Sequence, residues 1–488
     1  MTWVNVLVVA GAAGLLALRT RRILSRRPAR RDELLRQYAR WRFYHLVELF
    51  AVYAVALFYF GWGRVASFPL GDEARGSPPG VELLILSPFL LGLGLSWALF
   101  YDVEKALHHA HPAPVGGPSF WTRWEYMAFH VRQNLALVMV PVLLVIAVKH
   151  MPRLFSNAGE KSPKIGPVAA GLSGVIVLAT MPWMLRLVLG LKRLPEGPLA
   201  DRLHAAAGRL KFRCNGILLW NTRSGMANAM VVGVVPWIRY VVLTDRLIAE
   251  MTPEEVEAVF GHEVGHVKHH HMLYYMTFLA VSFIVVLAAL DLLVSLASGA
   301  RDLEAWLNLT SHRDLSLLPL VVLIGSYIVV VFGFVSRRCE RQADVYGCRA
   351  VSCGHGNCEG HDDSVTFPAG GSGLCQTGIR TFISALEKAA ALNGMSRDRP
   401  GWIRSWQHST IARRVDFLQR VLDDRGVEKR FQRRVGVIKW VLFVGLGALL
   451  LLFTFVWNKQ ATEESARDQP DKHAMQWKAA SPSTPMPQ

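Results

Sequence analysis

The sequence predicts a mainly α, polytopic membrane protein: a bundle of about seven to eight transmembrane helices joined to a water-exposed domain that contains a small β-sheet. Three observations predict it. Of 488 residues, 52% are hydrophobic, and the mean hydropathy is positive. Apolar stretches recur at lengths that can cross ~30 Å of hydrocarbon. The segments 192–271 and 336–434 that separate them are too long and too polar to be simple connections, and they carry helix-start and metal-ligand patterns.

The elements follow in order. Apolar stretches lie near 3–18, 43–63, 81–101, 133–150 and 166–190, which makes 1–191 an N-terminal membrane region of about five helices. From Arg19 to Arg42 there are ten arginines against Asp32 and Glu33, which favours the cytoplasmic side. Because the positive charge follows the first apolar run, that run is expected to be an anchor and not a cleavable signal. Alternation from there places 192–271, with a β-element near 214–245, in the cytoplasm. Residues 272–298 and 315–335 form a transmembrane hairpin (272–335), 336–434 returns to the cytoplasm, 435–457 is a last membrane helix, and 458–488 is a disordered tail rich in Ser, Pro, Gln and charge. The expected location is therefore a plasma or inner membrane, multi-pass, with the lipid bilayer as a partner. The net charge of +17 is concentrated beside the apolar runs, where it acts as a topology signal and contacts anionic lipid; nucleic acid is excluded as a partner.

The segment His262-Glu263-Val264-Gly265-His266 concentrates the chemistry. On a helix, residues four apart share a face, so His262 and His266 can grip one zinc ion while Glu263 reaches the water that the metal acidifies. Such a carboxylate is a general base towards water and then a general acid towards a leaving amine. Thr252-Pro253-Glu254-Glu255 is a helix start: N-cap, proline at the first position, and a capping box closed by Glu255. Gly261 and Gly265 weaken a helix, so they are expected to admit a close neighbour.

A third ligand is needed. Residue 272 is methionine, which removes a histidine at that spacing. Glu340 and Asp344 again stand four apart, and we assign Glu340 as the third ligand and Asp344 as the carboxylate that orients a ligating histidine. If 272–335 is an antiparallel hairpin, His266 and Glu340 each stand roughly 7–9 Å above the same membrane face at ~1.5 Å per residue. The polar domain is then expected to be zincin-like.

Ser336-Arg337-x-x-Glu340-x-x-Ala343-Asp344, the zinc motif and the run from Tyr240 to Leu247 together resemble the membrane-embedded gluzincin metalloproteases that comprise the type I CAAX prenyl proteases and the HtpX heat-shock proteases. The resemblance spans about Leu194 to Leu422. It implies a zinc metalloendopeptidase acting on peptides or membrane proteins. It also implies that Asn228-Ala229 is an edge strand pairing with extended substrate, that His408 helps stabilise an oxyanion, and that Arg414 braces a carboxylate. Gln407 and Ser409 stand where the family usually has Thr and Pro, and the span at 435–457 departs from the family pattern.

Five of the six cysteines fall between 339 and 375. In a cytoplasmic segment two readings stay open: a second, structural zinc held by some of Cys348, Cys353, His355, Cys358, His361 and Cys375, or a flexible insert (about 348–375) with incidental thiols. The remaining histidines, the run His269 to His271 included, are expected at interfaces or on the surface. The expected function is membrane-protein quality control or CAAX-type processing. The alternatives are a catalytically silent membrane scaffold and a metal or redox sensor.

Overall fold

The computed structural model describes residues 11–20, 22, 31–67, 81–109, 120–134, 165–223, 225–279, 281–282, 285, 323, 325–353, 358, 373–398, 408–424 and 426–467. Contacts divide the chain into two units, Met1–Met272 with Thr310–Phe431, and Leu273–Leu309 with Gln432–Gln488.

The first unit includes three long helices, α1 (Arg31–Ala54), α2 (Val81–His109) and α3 (Ile165–Leu189). Charge within such helices needs a partner. Here the Tyr38 hydroxyl donates to Glu104 at 3.2 Å, Arg42 pairs with the same carboxylate, and His45 Nε2 lies 2.8 Å from Ser96 Oγ, so α1 is fastened to α2. Among the described residues, Leu83–Ala106 and Gly426–Leu452 are long and apolar enough to cross a membrane. The expected spans at 43–63 and 166–190 are helical, the first through α1 and the π-helical turn Val55–Tyr59, the second through α3. Those at 3–18, 133–150, 272–298 and 315–335 lie partly or largely outside the described residues, as does most of the expected hairpin, 286–322.

A four-stranded mixed sheet follows: β1 (Lys192–Arg193), β2 (Gly216–Trp220), β3 (Ala229–Val232) and β4 (Tyr240–Thr244), in the order β1-β2-β4-β3. It begins earlier than the expected 214–245. β2 runs parallel to β4, with Gly216 opposite Tyr240, and β3 runs antiparallel to β4, with Ala229 opposite Leu243. Every residue of β4 is buried, because both sheet faces are covered. Val241 and Leu243 pack with Leu203 and Ala206 of α4 (Pro198–Arg209) and with Val256, Phe260 and Val264 of α6 (Pro253–Lys268), which follows the short α5 (Asp245–Glu250). Tyr240 and Val242 face the other way, onto Leu218, Trp220 and Leu191.

α6 starts as its sequence requires. Thr252 Oγ1 accepts from the Glu255 N–H, Glu255 Oε2 accepts from the Thr252 N–H, and Pro253 takes the first helical position. α7 (Gly333–Ala350) lies along it at glycine distance: a Cβ on Gly265 would stand 2.7 Å from Tyr346 Cβ and 3.0 Å from Ala343 Cα. Glu257 of α6, 1% exposed, accepts from Arg202 Nε at 2.6 Å and pairs with Arg209, which anchors α4. α8 (Gln376–Leu392) and α9 (Ile411–Asp423) close the domain over the buried Val345, Phe382, Val415 and Leu418.

α10 (Gly426–Arg467) extends ten residues into the stretch expected to be a disordered tail; 468–488 lie outside the described residues. Within the second unit, Tyr274 meets Phe443 edge-on at 5.0 Å and lies under the Lys439 ammonium.

Candidate metal centre

One helical turn separates His262 from His266 on α6, and their Nε2 atoms stand 3.2 Å apart. The glycine contact brings α7 close enough for Glu340 to complete the group, with Oε2 3.8 Å from His262 Nε2 and Oε1 3.7 Å from His266 Nε2. Ligand atoms about 2.0–2.2 Å from a tetrahedral zinc lie roughly 3.3 Å from one another, so this donor set fits the ion.

The nitrogen that each histidine turns away from this point is also engaged. His262 Nδ1 is 3.1 Å from Asp344 Oδ1. Asp344 is wholly buried and receives the Arg414 guanidinium through two atoms, Nε donating to Oδ2 at 2.9 Å. Arg414 Nη1 also lies 3.6 Å from Glu340 Oε2, and His408 Nδ1 lies 3.1 Å from Glu340 Oε1. Thr410 caps α9 by accepting from the Arg413 N–H, which puts Arg414 in the first turn, facing α7, and leaves the exposed His408 just outside the helix. Ser409 between them has φ of 66°, a value proline cannot adopt.

Burial acts on each group first, and its neighbours decide the outcome. Burial pushes the Glu263 carboxyl up to about 7, helped by Glu340 and opposed by His262 and by the Val231 N–H that donates to it. Burial also pushes His266 down to about 4, with the neighbouring His262 adding to the effect, so the ring is neutral, as a ligand must be. Burial works to raise Glu340, but His408, Arg414 and the two histidines hold it well below the usual carboxylate range. Asp344 is likewise held low against burial by Arg414 and His262.

Val231 belongs to β3, an edge of the sheet. The Asn228 carbonyl accepts from the Thr244 N–H at 3.0 Å, and its own N–H is taken by Thr244 Oγ1. By strand alternation, Ala229 and Val231 turn their backbone groups outward. Asn228 therefore does not offer its backbone at the open edge. Its side chain instead accepts from the Ala229 N–H at 3.0 Å.

Two sequence readings need correction. His271 is not a surface residue: it is 0% exposed, with Nδ1 3.0 Å from His266 Nδ1 and Nε2 3.2 Å from Gln342 Oε1. Its position five residues past His266 was a signal, hidden by the turn at His270, where φ is 53°. Cys348 is not with the other thiols. It is buried in the apolar core beside Val345, Ile379 and Phe382, and burial pushes its thiol well up. Cys353, Cys358 and Cys375 do meet, with their sulfurs within 4.8 Å of one another, while His355 and His361 lie outside the described residues.

Residues 198–367 match the family model "Peptidase family M48". Over that stretch the chain is similar to the M48 peptidases. The matched stretch holds His262, Glu263, His266, Glu340 and Asp344, and stops before His408 and Arg414. The chain is similar to the CAAX prenyl protease 1 homolog of Dictyostelium discoideum, 30% identical over 159 residues (30% of this chain, 36% of that protein). It is also similar to the homolog of Arabidopsis thaliana, 31% identical over 170 residues (32% and 37%). The matched segments thus span just over a third of those relatives' own length. The fold resembles the crystal structure of S. mikatae Ste24p, with a TM-score of 0.52 and 16% identity, covering 84% of this chain and 98% of that one.

Proposed function

We propose that this chain is an integral membrane, zinc-dependent endopeptidase whose M48 domain faces the cytosol. The observation that carries the reading is the convergence of His262, His266 and Glu340 with Glu263 beside an open strand edge. Zinc held by those three residues would supply Lewis acidity. The chain's own groups do the rest. Glu263, with a carboxyl near neutrality, takes a proton from the attacking water and returns it to the leaving amine. Asp344 fixes the His262 ring, and Arg414 compensates both buried carboxylates. The outward carbonyls of Ala229 and Val231 are suited to accepting from the N–H groups of an extended peptide laid along β3, beside Glu263. His408, exposed at the rim, is placed to meet charge developing on the substrate.

The relatives' printed names bring CAAX-type prenylated peptides forward as a substrate class; unfolded membrane proteins are the second. The test is the Glu263→Gln variant purified from its native membrane. The reading expects zinc retained, peptide cleavage lowered by about 10²–10⁴-fold, and trapped chains identified by mass spectrometry. Enrichment of a few lipidated C-termini assigns processing, and a broad set of unfolded chains assigns quality control. Undiminished cleavage by the variant overturns the mechanism, and trapped chains no different from those of wild type move weight to a silent scaffold or a metal or redox sensor.

A further inference from the structure

We propose that Cys353, Cys358 and Cys375 form a second, structural zinc site that clamps the end of α7 to the start of α8. The three sulfurs lie within 4.8 Å of one another, and none is in a disulfide. In a tetrahedral zinc thiolate site with Zn–S near 2.3 Å, sulfurs stand about 3.8 Å apart, so a small closure brings them to ligand distance. Cys353 and Cys375 are buried and Cys358 is half-buried. Cys339 and Cys348, buried on α7, stand outside this group of three.

Hydrogen bonds set the cluster against the start of α8. Cys375 is the N-cap of the 17-residue α8, and its sulfur accepts from the Gly378 N–H at 3.2 Å, where the helix amides carry positive potential. The Cys358 thiol donates to Thr377 Oγ1 at 3.2 Å, and the Thr377 hydroxyl donates to the Cys358 carbonyl at 2.9 Å, which sets that residue against the same helix end. Ser352 ties the two helices locally: its hydroxyl donates to the Cys348 carbonyl and accepts from the Cys375 N–H at 3.1 Å. Zinc binding would release the three thiol protons with no change of oxidation state, and leave a fourth position for a further ligand.

The clamp bears on the catalytic domain through α8. Phe382, two turns along, stacks on the His262 ring at a centroid separation of 5.8 Å and fills the space against Gly347. A metal at the start of α8 therefore fixes a wall of the first centre without taking part in it.

The test is zinc per chain in the full-length protein purified in detergent. Wild type is expected to carry two. The Cys353→Ser/Cys375→Ser variant is expected to carry one, and so is His262→Ala/His266→Ala. Zinc content in the cysteine variant equal to that of wild type overturns the proposal. Cobalt substitution of the histidine variant reads the site with every cysteine intact. A thiolate-to-cobalt charge-transfer band is expected there, and its absence also overturns the proposal. Unchanged zinc in the histidine variant would instead count against the His262–Glu340 centre alone.

Discussion

Two three-donor clusters are built around α7, and they differ in what stands behind the donors. Behind His262, His266 and Glu340 stand ionisable groups: Glu263, Asp344, Arg414, His408 and His271. Behind Cys353, Cys358 and Cys375 stand hydroxyls and backbone amides: Ser352, Thr377 and Gly378. The first cluster holds a carboxyl near neutrality next to an open strand, which hydrolysis requires. Among the described residues, the second is surrounded by hydroxyls and backbone amides that fix the sulfurs in place, which suits a structural ion.

The largest effect that would break this contrast is expected at Arg414. It is the cation that compensates Asp344 and lies beside Glu340, all three buried. Arg414→Ala is expected to destabilise the fold by about 3–5 kcal/mol, because it leaves uncompensated buried charge. Zinc affinity should fall at the same time. Thermal unfolding and zinc titration check both. A variant as stable as wild type would mean that the charges behind the first cluster are not coupled as the distances imply.

A smaller effect is expected at His271. The tautomer in which His271 Nε2 donates to Gln342 Oε1 has its Nδ1 accepting the proton on His266 Nδ1, which turns His266 Nε2 towards the metal point. His271→Phe is expected to weaken zinc binding at the first cluster by about 10–100-fold and to leave the thiolate-to-cobalt band of the second unchanged. Equal losses at both clusters would assign His271 a general packing role.

What could be read from the sequence follows the range of the interactions. α6 was legible because its start, Thr252-Pro253-Glu254-Glu255, and its ligand pair are local patterns, and the capping box forms as written. Glu340 and Asp344 were legible for the same reason, being one turn apart on α7. His271 was not, because it follows a left-handed residue that breaks the helical register of α6. Nor was the sorting of the cysteines: Cys348 and Cys353 are five residues apart, yet one faces the core of α7 and the other lies past the helix end. β1, two exposed basic residues, has no apolar alternation, and only its pairing with β2 makes it a strand.

The glycine seam tests whether the first cluster depends on helix separation. A methyl on Gly265 meets Tyr346 Cβ and the Ala343 backbone at no more than 3.0 Å. Gly265→Ala is therefore expected to cost about 1–3 kcal/mol as α6 and α7 are pushed apart, and to lower zinc affinity, since Glu340 moves away with α7. Loss of stability with zinc affinity unchanged would show that the carboxylate can follow the histidines.

The smallest effect concerns Glu255, which closes the α6 capping box and also accepts from Ser384 Oγ at 2.8 Å and Lys388 Nζ at 3.0 Å on α8. It thus joins the helix of the first cluster to the helix that the second cluster clamps. Burial works to raise its pKa, but the Thr252 N–H, Lys388 and Ser384 outweigh it, so the folded carboxyl titrates below its ordinary value of 4.5. A depressed folded pKa contributes stability that is present in full above 4.5 and is lost as pH falls through the folded value. Glu255→Gln should therefore cost about 1 kcal/mol near neutral pH, with the gap to wild type narrowing below pH 4.5. Thermal unfolding of both proteins across that range reads it. A gap that stays constant on acidification would mean that the side chain acts by shape and neutral hydrogen bonding, and that the α6–α8 link owes nothing to charge.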